Sequence, residues 1–287
     1  MTKVTLVQPH LSFSAISQFD RCPKSWYSQR ILGKKQKSGE AASFGLAFEA
    51  KVIEAIGAPN EKEPTEEDKA RTKIDDPQMA RQIDAAVDTY LKTPGVWTKE
   101  TPGTIVAQRE IHICPERWGT LADMYGASGE IHLPLIGYID LLHTEPNGLR
   151  RTVKDLKTTS DPRFKHEWVL QTGIYALVER AQKIAIDVLY RPPERPTKKP
   201  RPEGWLPKFK ATLYEYRVTD ALMQWVMSWV GIRAMQMREA EGQGLERMLA
   251  SPNFGCQWCP EADTCEARMV ASLTPVGGSG GDGEEAE

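Results

Sequence analysis

Two aspartates and a lysine within residues 137–159, GYIDLLHTEPNGLRRTVKDLKTT, are the side chains of this 287-residue chain best spaced to do chemistry together. Asn147-Gly148 separates two runs rich in apolar and β-branched residues, the strongest short-range signal for a two-residue type I′ hairpin turn. The register that closes on that turn sets Asp140 directly opposite Asp155 on one face, with Cβ atoms roughly 4.5–5.5 Å apart. Lys157 shares the face, because strand side chains alternate with period two. Facing carboxylates destabilise a sheet unless positive charge lies between them, and a divalent cation would supply it. Ile139, Leu141, Val153 and Leu156 make both strands largely apolar, as in strands buried on both faces, where an acid pair needs a partner. The competing expectation is an ordinary hairpin whose polar face meets water.

A second set of residues is made of sulfur. Cys256, Cys259 and Cys265 form C-x2-C-x5-C, and Cys22 at the other end of the chain would complete four ligands for one cofactor. Four thiolates suit zinc and an iron–sulfur cluster equally by ligand list. Five cysteines in a chain without a signal-peptide pattern point to such a site, not to a disulfide framework, and Cys114 is left over as a small buried hydrophobe.

Gly137-Tyr138-Ile139-Asp140 followed by Asp155-Leu156-Lys157 resembles the Asp…(Asp/Glu)-x-Lys signature of the PD-(D/E)XK nucleases. Ser14, Phe19, Cys22-Pro23 and Tyr27 closely resemble the N-terminal segment of the iron–sulfur members of its RecB-like branch. Gln171 and Tyr175, four apart and shortly after the lysine, look like that branch's accessory motif. The resemblance runs from Cys22 to Cys265 with the motifs in order. It implies an α/β fold with a central mixed sheet flanked by helices, and an iron–sulfur clasp joining the N- and C-terminal segments of one domain, residues 1–272. It further implies Mg²⁺ or Mn²⁺ held by Asp140, Asp155 and the Leu156 carbonyl, with Lys157 positioning or helping to deprotonate the attacking water. Gln171 and Tyr175 would border the site and help orient DNA or the water. Cys22, Cys256, Cys259 and Cys265 would bind a [4Fe–4S] cluster, with a four-cysteine zinc site as the alternative.

One position departs from the branch. Its helix places a metal-binding His three residues after a Gly, and here Phe48 follows Gly45 at that distance. Glu49 next to it either replaces the histidine as a ligand, as in other branches of the superfamily, or is a surface acid. The activity implied is a metal-dependent DNA exonuclease working on single strands or duplex ends, in recombination, repair or replication. No Gly-x-x-x-x-Gly-Lys-[Ser/Thr] run is present, so strand separation would fall to a helicase or recombination partner. The alternative is a DNA-end-binding or assembly factor that kept the fold and lost turnover with Phe48.

The elements that must position these residues follow from periodicity. Ser14 is the expected N-cap of a short first helix bearing Ile16 and Phe19. Residues 44–56 read as a helix with Phe48, Val52 and Ile56 inward, and Ile83, Val87 and Leu91 are core positions of another. Residues 104–114 alternate as a strand, with Ile105, Ala107, Ile111 and Ile113 on one face and Val106, Gln108, Glu110 and His112 on the other. Glu110 is either a further acid of the site or structural. A helix over 163–184, strands over 184–190 and 211–218, and a helix over 220–241 with Leu222, Trp225, Val226, Trp229 and Ile232 inward complete the reading.

Residues 191–210 are Pro-rich and carry seven Lys/Arg against two Glu. This is either a solvated spacer or an arm whose Lys198, Lys199 and Arg201 meet phosphates while Trp205 or Phe209 offers a stacking surface. Residues 273–287 are low-complexity and acidic, an expected disordered tail. The net charge is −2, so a nucleic-acid site must be local. No apolar run nears the roughly 20 residues that span a bilayer, so the expectation is a soluble, intracellular, cytoplasmic protein.

Overall fold

The computed structural model describes residues 9–34, 39–161, 163–192, 205–253, 256 and 259–266. In chain order they form α1 (Phe13–Arg21), α2 (Pro23–Trp26) continuing into a π-helical turn (Tyr27–Ile31), α3 (Glu40–Ile56), α4 (Glu66–Thr72) and α5 (Pro77–Leu91). Then come β1 (Thr104–Ile113), α6 (Pro115–Tyr125), β2 (Leu135–Thr144), β3 (Arg151–Thr159), α7 (His166–Glu179), β4 (Lys183–Tyr190), β5 (Lys210–Arg217) and α8 (Asp220–Glu241). The strands make one mixed sheet in the order β1-β2-β3-β4-β5, with β3 and β4 parallel and the other neighbours antiparallel. Parallel neighbours need a crossover, and α7 supplies it. This is the expected fold class, a mixed sheet flanked by helices.

Each face of the sheet buries its own cluster. α1, α7 and α8 pack Ile16, Val169, Ile174 and Val226 against Ile139, Val153, Ile184 and Ile186. On the other face, α3 and α5 pack Phe44, Phe48, Val52 and Ile83 against Ala107, Leu141, Leu156 and Leu189. Each such side chain contributes about 1.5–3 kcal/mol when fully buried. This double burial explains why β4 reads as a near-continuous apolar run.

Several local expectations are corrected. The hairpin turn is not a two-residue type I′: Gly148 takes a left-handed φ of 71°, whereas Asn147 does not. The Glu145 carbonyl accepts from Gly148 N at 2.8 Å, and Glu145 N donates to Arg150 O at 2.9 Å, so four residues form the loop. Pro146, with φ fixed near −65°, suits the second position of a type I turn and so takes the bend. The register nevertheless survives, with Leu141 opposite Lys154 and Leu142 opposite Val153, because the loop gains one residue on each side.

Alternation along β1 also breaks. Ile111 and Ile113 join the α1/α7/α8 cluster, with Val106 packed against it, but Ala107 and Ile105 belong with α3 and α5. The reversal falls at Gln108, whose φ of 52° is left-handed, and β2 reverses beside it: Ile139 and Leu142 face one cluster, Leu141 the other.

The inward face of α8 is likewise rotated from the expected one. Met223, Val226, Met227, Val230 and Ala234 are buried, while Trp225 and Ile232 remain 44% and 40% exposed. Gly231 admits the main chain of Gly129 closer than any Cβ would allow, which pins the small-residue face inward. Trp229 instead lies against Phe13, ring centres 5.9 Å apart.

Three smaller corrections concern caps and packing. Ser12, not Ser14, caps α1, its hydroxyl accepting from Ala15 N at 3.2 Å. α7 stops at Glu179 because Arg180 takes a left-handed φ of 51° and ends the helix. Phe209 stacks on Phe44 at 6.1 Å, which makes it packing, not a stacking surface. Lys198, Lys199 and Arg201, and the acidic tail, lie outside the described residues. Among those described, no helix is long and apolar enough to cross a membrane.

Candidate active site

β2 and β3 stop pairing at Leu141 and Lys154, one residue short of the two aspartates. In place of the next ladder bond, Asp140 Oδ2 accepts the Leu156 N–H at 2.7 Å. A strand residue turns its N–H and C=O toward the same neighbour, so the Leu156 carbonyl also faces this opening. Asp155 is fully buried and Lys157 lies on its face, Nζ 2.7 Å from Asp155 Oδ2. That contact is an ion pair by distance without the angle of a directed hydrogen bond, and neither Asp155 oxygen has a hydrogen-bond partner.

α3 brings a third acid. Glu49 is half-buried on this helix and its Oε1 accepts from Gln108 Nε2. The left-handed Gln108, in β1 between the Ala107–Leu141 and Arg109–Ile139 pairs, thus both reverses the pleat and reaches the helical acid. Sequence reading placed Gln108 as an ordinary alternating residue, since Gln carries no preference for that conformation.

The charges respond to this crowding. Burial, then the Glu49 and Asp155 charges, push the Asp140 carboxyl well above its usual pKa. Burial raises Asp155 as well, in spite of Lys157. Glu49 is pushed up to about 7 chiefly by burial; Lys157 pulls it down, the Asp155 charge adds to the rise, and the Gln108 hydrogen bond lowers it. For Lys157 burial works against the charge, but Asp155 and Asp140 outweigh it and hold the ammonium above its usual range.

α7 closes the site from the other side. Lys157 Nζ donates to Gln171 Oε1 at 3.1 Å, and Gln171 Nε2 donates to the Tyr175 hydroxyl at 3.0 Å. Burial and the Asp155 charge raise the Tyr175 phenol, which therefore stays protonated. Its ring lies on Gly137, where a Cβ would come within 2.8 Å of Cε1.

Phe48 is no part of this set. It is buried in the α3/α5 cluster with its ring edge-on to Tyr90 at 5.7 Å. Tyr90 in turn donates to Asp187 Oδ2 at 2.7 Å, and buried Lys154 donates to the same oxygen at 2.6 Å from above the Trp97 ring. This polar knot behind the carboxylates had no motif to announce it. Glu110 is likewise elsewhere, its carboxylate taking the Tyr138 hydroxyl at 2.8 Å on the surface.

The donor set fits a hard divalent cation in kind: three carboxylates forced toward protonation, one of them, Asp155, held only by the Lys157 ammonium. The acids do not form a closed cage, however. Among the described residues no three His, Cys, Asp or Glu side chains are drawn into one metal-ready group, and each of the three acids is held by its own donor or cation.

Cys22, Cys256, Cys259 and Cys265 are free thiols that line a single cavity. Ser25 N donates to Cys22 Sγ at 3.5 Å and Asn253 N to Cys256 Sγ at 3.3 Å. The donor types fit zinc or an iron–sulfur cluster, although the four sulfurs are not gathered around one point. Cys114 stands apart, half-buried at the N-cap of α6 rather than in the core.

A mixed sheet that opens between two antiparallel strands around acids and one lysine is the layout of an α/β nuclease. The chain belongs to the PD-(D/E)XK nuclease superfamily, whose family model matches residues 10–266. Nucleases of this superfamily generally use divalent metals and act on DNA. Among solved structures it is similar to SSO0001, at 12% identity and a TM-score of 0.42, over 94% of this chain and 90% of that one. It is also similar to a candidate exonuclease from Eubacterium rectale, at 10% identity and a TM-score of 0.43, over 93% and 89%. No curated protein sequence matches it significantly.

Proposed function

We propose that the protein is a metal-dependent DNA exonuclease that hydrolyses phosphodiester bonds of single strands or DNA ends in recombination, repair or replication. The observation that carries the proposal is the trio of acids around Lys157 where β2 and β3 part, with Asp155 fully buried and partnered by the Lys157 ammonium alone. Such a trio is a poor structural device and a good receptor for a hard cation. Mg²⁺ or Mn²⁺ would be held by Glu49, Asp140, Asp155 and the Leu156 carbonyl, and when bound would supply charge relief at the phosphate and a more acidic water.

The chain's own residues then have separate tasks. Lys157, kept cationic by its neighbours, donates to the attacking water or to a phosphate oxygen and offsets the charge that grows on the phosphoryl group. The same high pKa makes it a poor proton acceptor near neutrality, so positioning outweighs deprotonation in its role. Gln171 orients Lys157 through Oε1 and is itself oriented by Tyr175, which makes both positioning residues.

Cys22, Cys256, Cys259 and Cys265 are assigned to a [4Fe–4S] cluster, with zinc the competing occupant. Its contribution would be to pin the two ends of the chain together. A brown chromophore with matching iron and sulfide in anaerobically purified protein distinguishes the cluster from zinc. Lys198, Lys199 and Arg201 are assigned to phosphates on charge.

Phe48 favours one second reading, an end-binding or assembly factor without turnover, because the ring occupies core where the branch carries a ligand. The deciding assay follows end-labelled single- and double-stranded DNA with Mn²⁺. Cleavage by the wild type that drops about a hundredfold or more in Lys157→Ala is the expected result. Binding without lysine-dependent cleavage would establish the second reading instead.

A further inference from the structure

Lys154, Asp187 and Tyr90 lie behind the acids, on the α3/α5 side of the sheet, and take no part in the chemistry proposed above. Lys154 and Tyr90 both donate to Asp187 Oδ2, at 2.6 and 2.7 Å, while Asp187 Oδ1 has no hydrogen-bond partner. None of the three is more than 2% exposed. A buried ion pair is weak evidence for stability, because apolar groups of similar volume do as well or better, and an orphaned oxygen worsens the balance. What such a pair can specify is position.

Contacts run from one acid round to another. Lys154 precedes Asp155 in β3, and Asp187 stands opposite Leu156 in β4, which sets the ion pair directly behind the opening. Tyr90 comes from α5, and its ring meets Phe48 of α3 edge-on at 5.7 Å. Glu49 is the next residue. One turn before it, Gly45 lets α3 approach β3 so closely that a Cβ would come within 2.9 Å of Thr158 Oγ1. Gly45 and Glu49 are four apart and share a face, so the seats of Gly45 on Thr158 and of Phe48 on Tyr90 decide how far Glu49 stands from Asp140. The charges report the same nearness. Burial and then Asp187 raise the Tyr90 phenol, with Asp140 adding to the rise, and burial raises Asp155 with the Asp187 charge adding to it.

We propose that Lys154, Asp187 and Tyr90 are positioning residues for the cation: through the Phe48 ring they fix the gap between Glu49 and the strand acids, and so make the site prefer a small ion such as Mn²⁺ to Ca²⁺. The inference rests on the nuclease reading above and adds to it the part of the fold that sets cation preference. Preference between hard divalent ions follows the size and rigidity of the oxygen site, since Ca²⁺ accepts a wider and looser one. Phe48 thereby gains a task. Where the RecB-like branch places a ligand, this chain places the seat of the neighbouring one.

Two variants of the full chain test it, Tyr90→Phe and the double variant Lys154→Met with Asp187→Leu. The readout needs no DNA: Mn²⁺ binding is followed by electron paramagnetic resonance and Ca²⁺ binding by competition against it, beside melting curves in chelator. The double variant is expected to weaken the Mn²⁺ Kd about tenfold, the lower end of what partners behind a metal's ligands are worth, and the Ca²⁺ Kd about threefold or less. Its Tm should stay at or above that of the wild type, as for other buried pairs replaced by apolar groups. Tyr90→Phe deletes one hydroxyl and keeps the ring on Phe48. About a threefold loss for Mn²⁺ alone is expected of it, and it decides the matter where the double variant fails to fold. An unchanged Mn²⁺ Kd overturns the inference, and so does an equal weakening for both cations, which is what a merely loosened fold would give. A wild type whose preference for Mn²⁺ depends on these residues but that never cleaves DNA sinks the nuclease reading and leaves the inference; a wild type that cleaves, with a preference indifferent to all three, does the reverse.

Discussion

Asp140 has two tasks that conflict in the absence of a cation. Its Oδ2 stands in for a missing ladder acceptor, while its charge crowds Glu49 and Asp155. Asp140→Asn keeps an acceptor and removes the charge. In chelator its Tm should rise by about 2–4 °C, the equivalent of ~1 kcal/mol for a chain of this size, while cleavage falls about a hundredfold or more. A lower Tm with the fold intact would mean that the charge stabilises the site. Glu49 makes the pH dependence explicit. Its carboxyl titrates at about 7 in the folded chain against 4.5 ordinarily, so the folded state holds more protons across that window. Stability present below the lower value is lost as pH rises through the upper one, and raised Asp140 and Asp155 act in the same direction. Melting in chelator should therefore fall from pH ~5 to pH ~7.5, and Mn²⁺ should flatten the curve by binding only the folded site. A Tm that climbs over that range would contradict the charge crowding.

At the scale of elements, the site depends on α7 approaching β2 closely enough for Tyr175 to lie on Gly137. Gly137→Ala would put a Cβ within 2.8 Å of that ring and push it, and with it Gln171, away from Lys157. The expected result is a stability loss of about 1–3 kcal/mol and a cleavage rate down tenfold or more with KM little changed, read by denaturant melts and steady-state kinetics. An unchanged rate would show that the Tyr175–Gln171 pair does not orient the lysine. The hairpin itself was legible, because an Asn-Gly loop centred at that point pairs the same residues whether two or four lie in it. The reversal at Gln108 was not, because it needs a left-handed Gln, a conformation that residue type discourages.

Across the whole molecule, the α1–α2 segment meets α8 and residues 249–253 beside the cysteines. Lys24 N donates to Leu249 O at 3.1 Å, Asn253 Nδ2 reaches Arg21 O at 3.5 Å, and Arg233 pairs with Asp20. If the thiols share one cofactor, Cys22→Ser and Cys265→Ser should lower Tm by similar amounts and open the same tryptic sites near both ends, while the distant Cys114→Ser does neither. Unequal losses from the first pair would separate the sulfurs. Differential scanning fluorimetry and limited proteolysis supply both readouts.

Taken alone, the sequence determined which residue types could cooperate and in what order, since strand pairing, helical spacing and ligand counts are local rules written in residue identity. Lys157 on the face of Asp155, and Gln171 with Tyr175 on one helical stripe, followed from period; the register led up to Asp140 and Asp155, where the ladder stops one pair short. What only the tertiary structure decided was which of these groups meet partners from other elements. Gln108 on Glu49, Phe48 turned into the core against Tyr90, the inward face of α8 and the cavity shared by the four cysteines all depend on how closely separate elements pack. Periodicity gives the direction of a side chain from its own backbone, but packing against a second element decides what it touches.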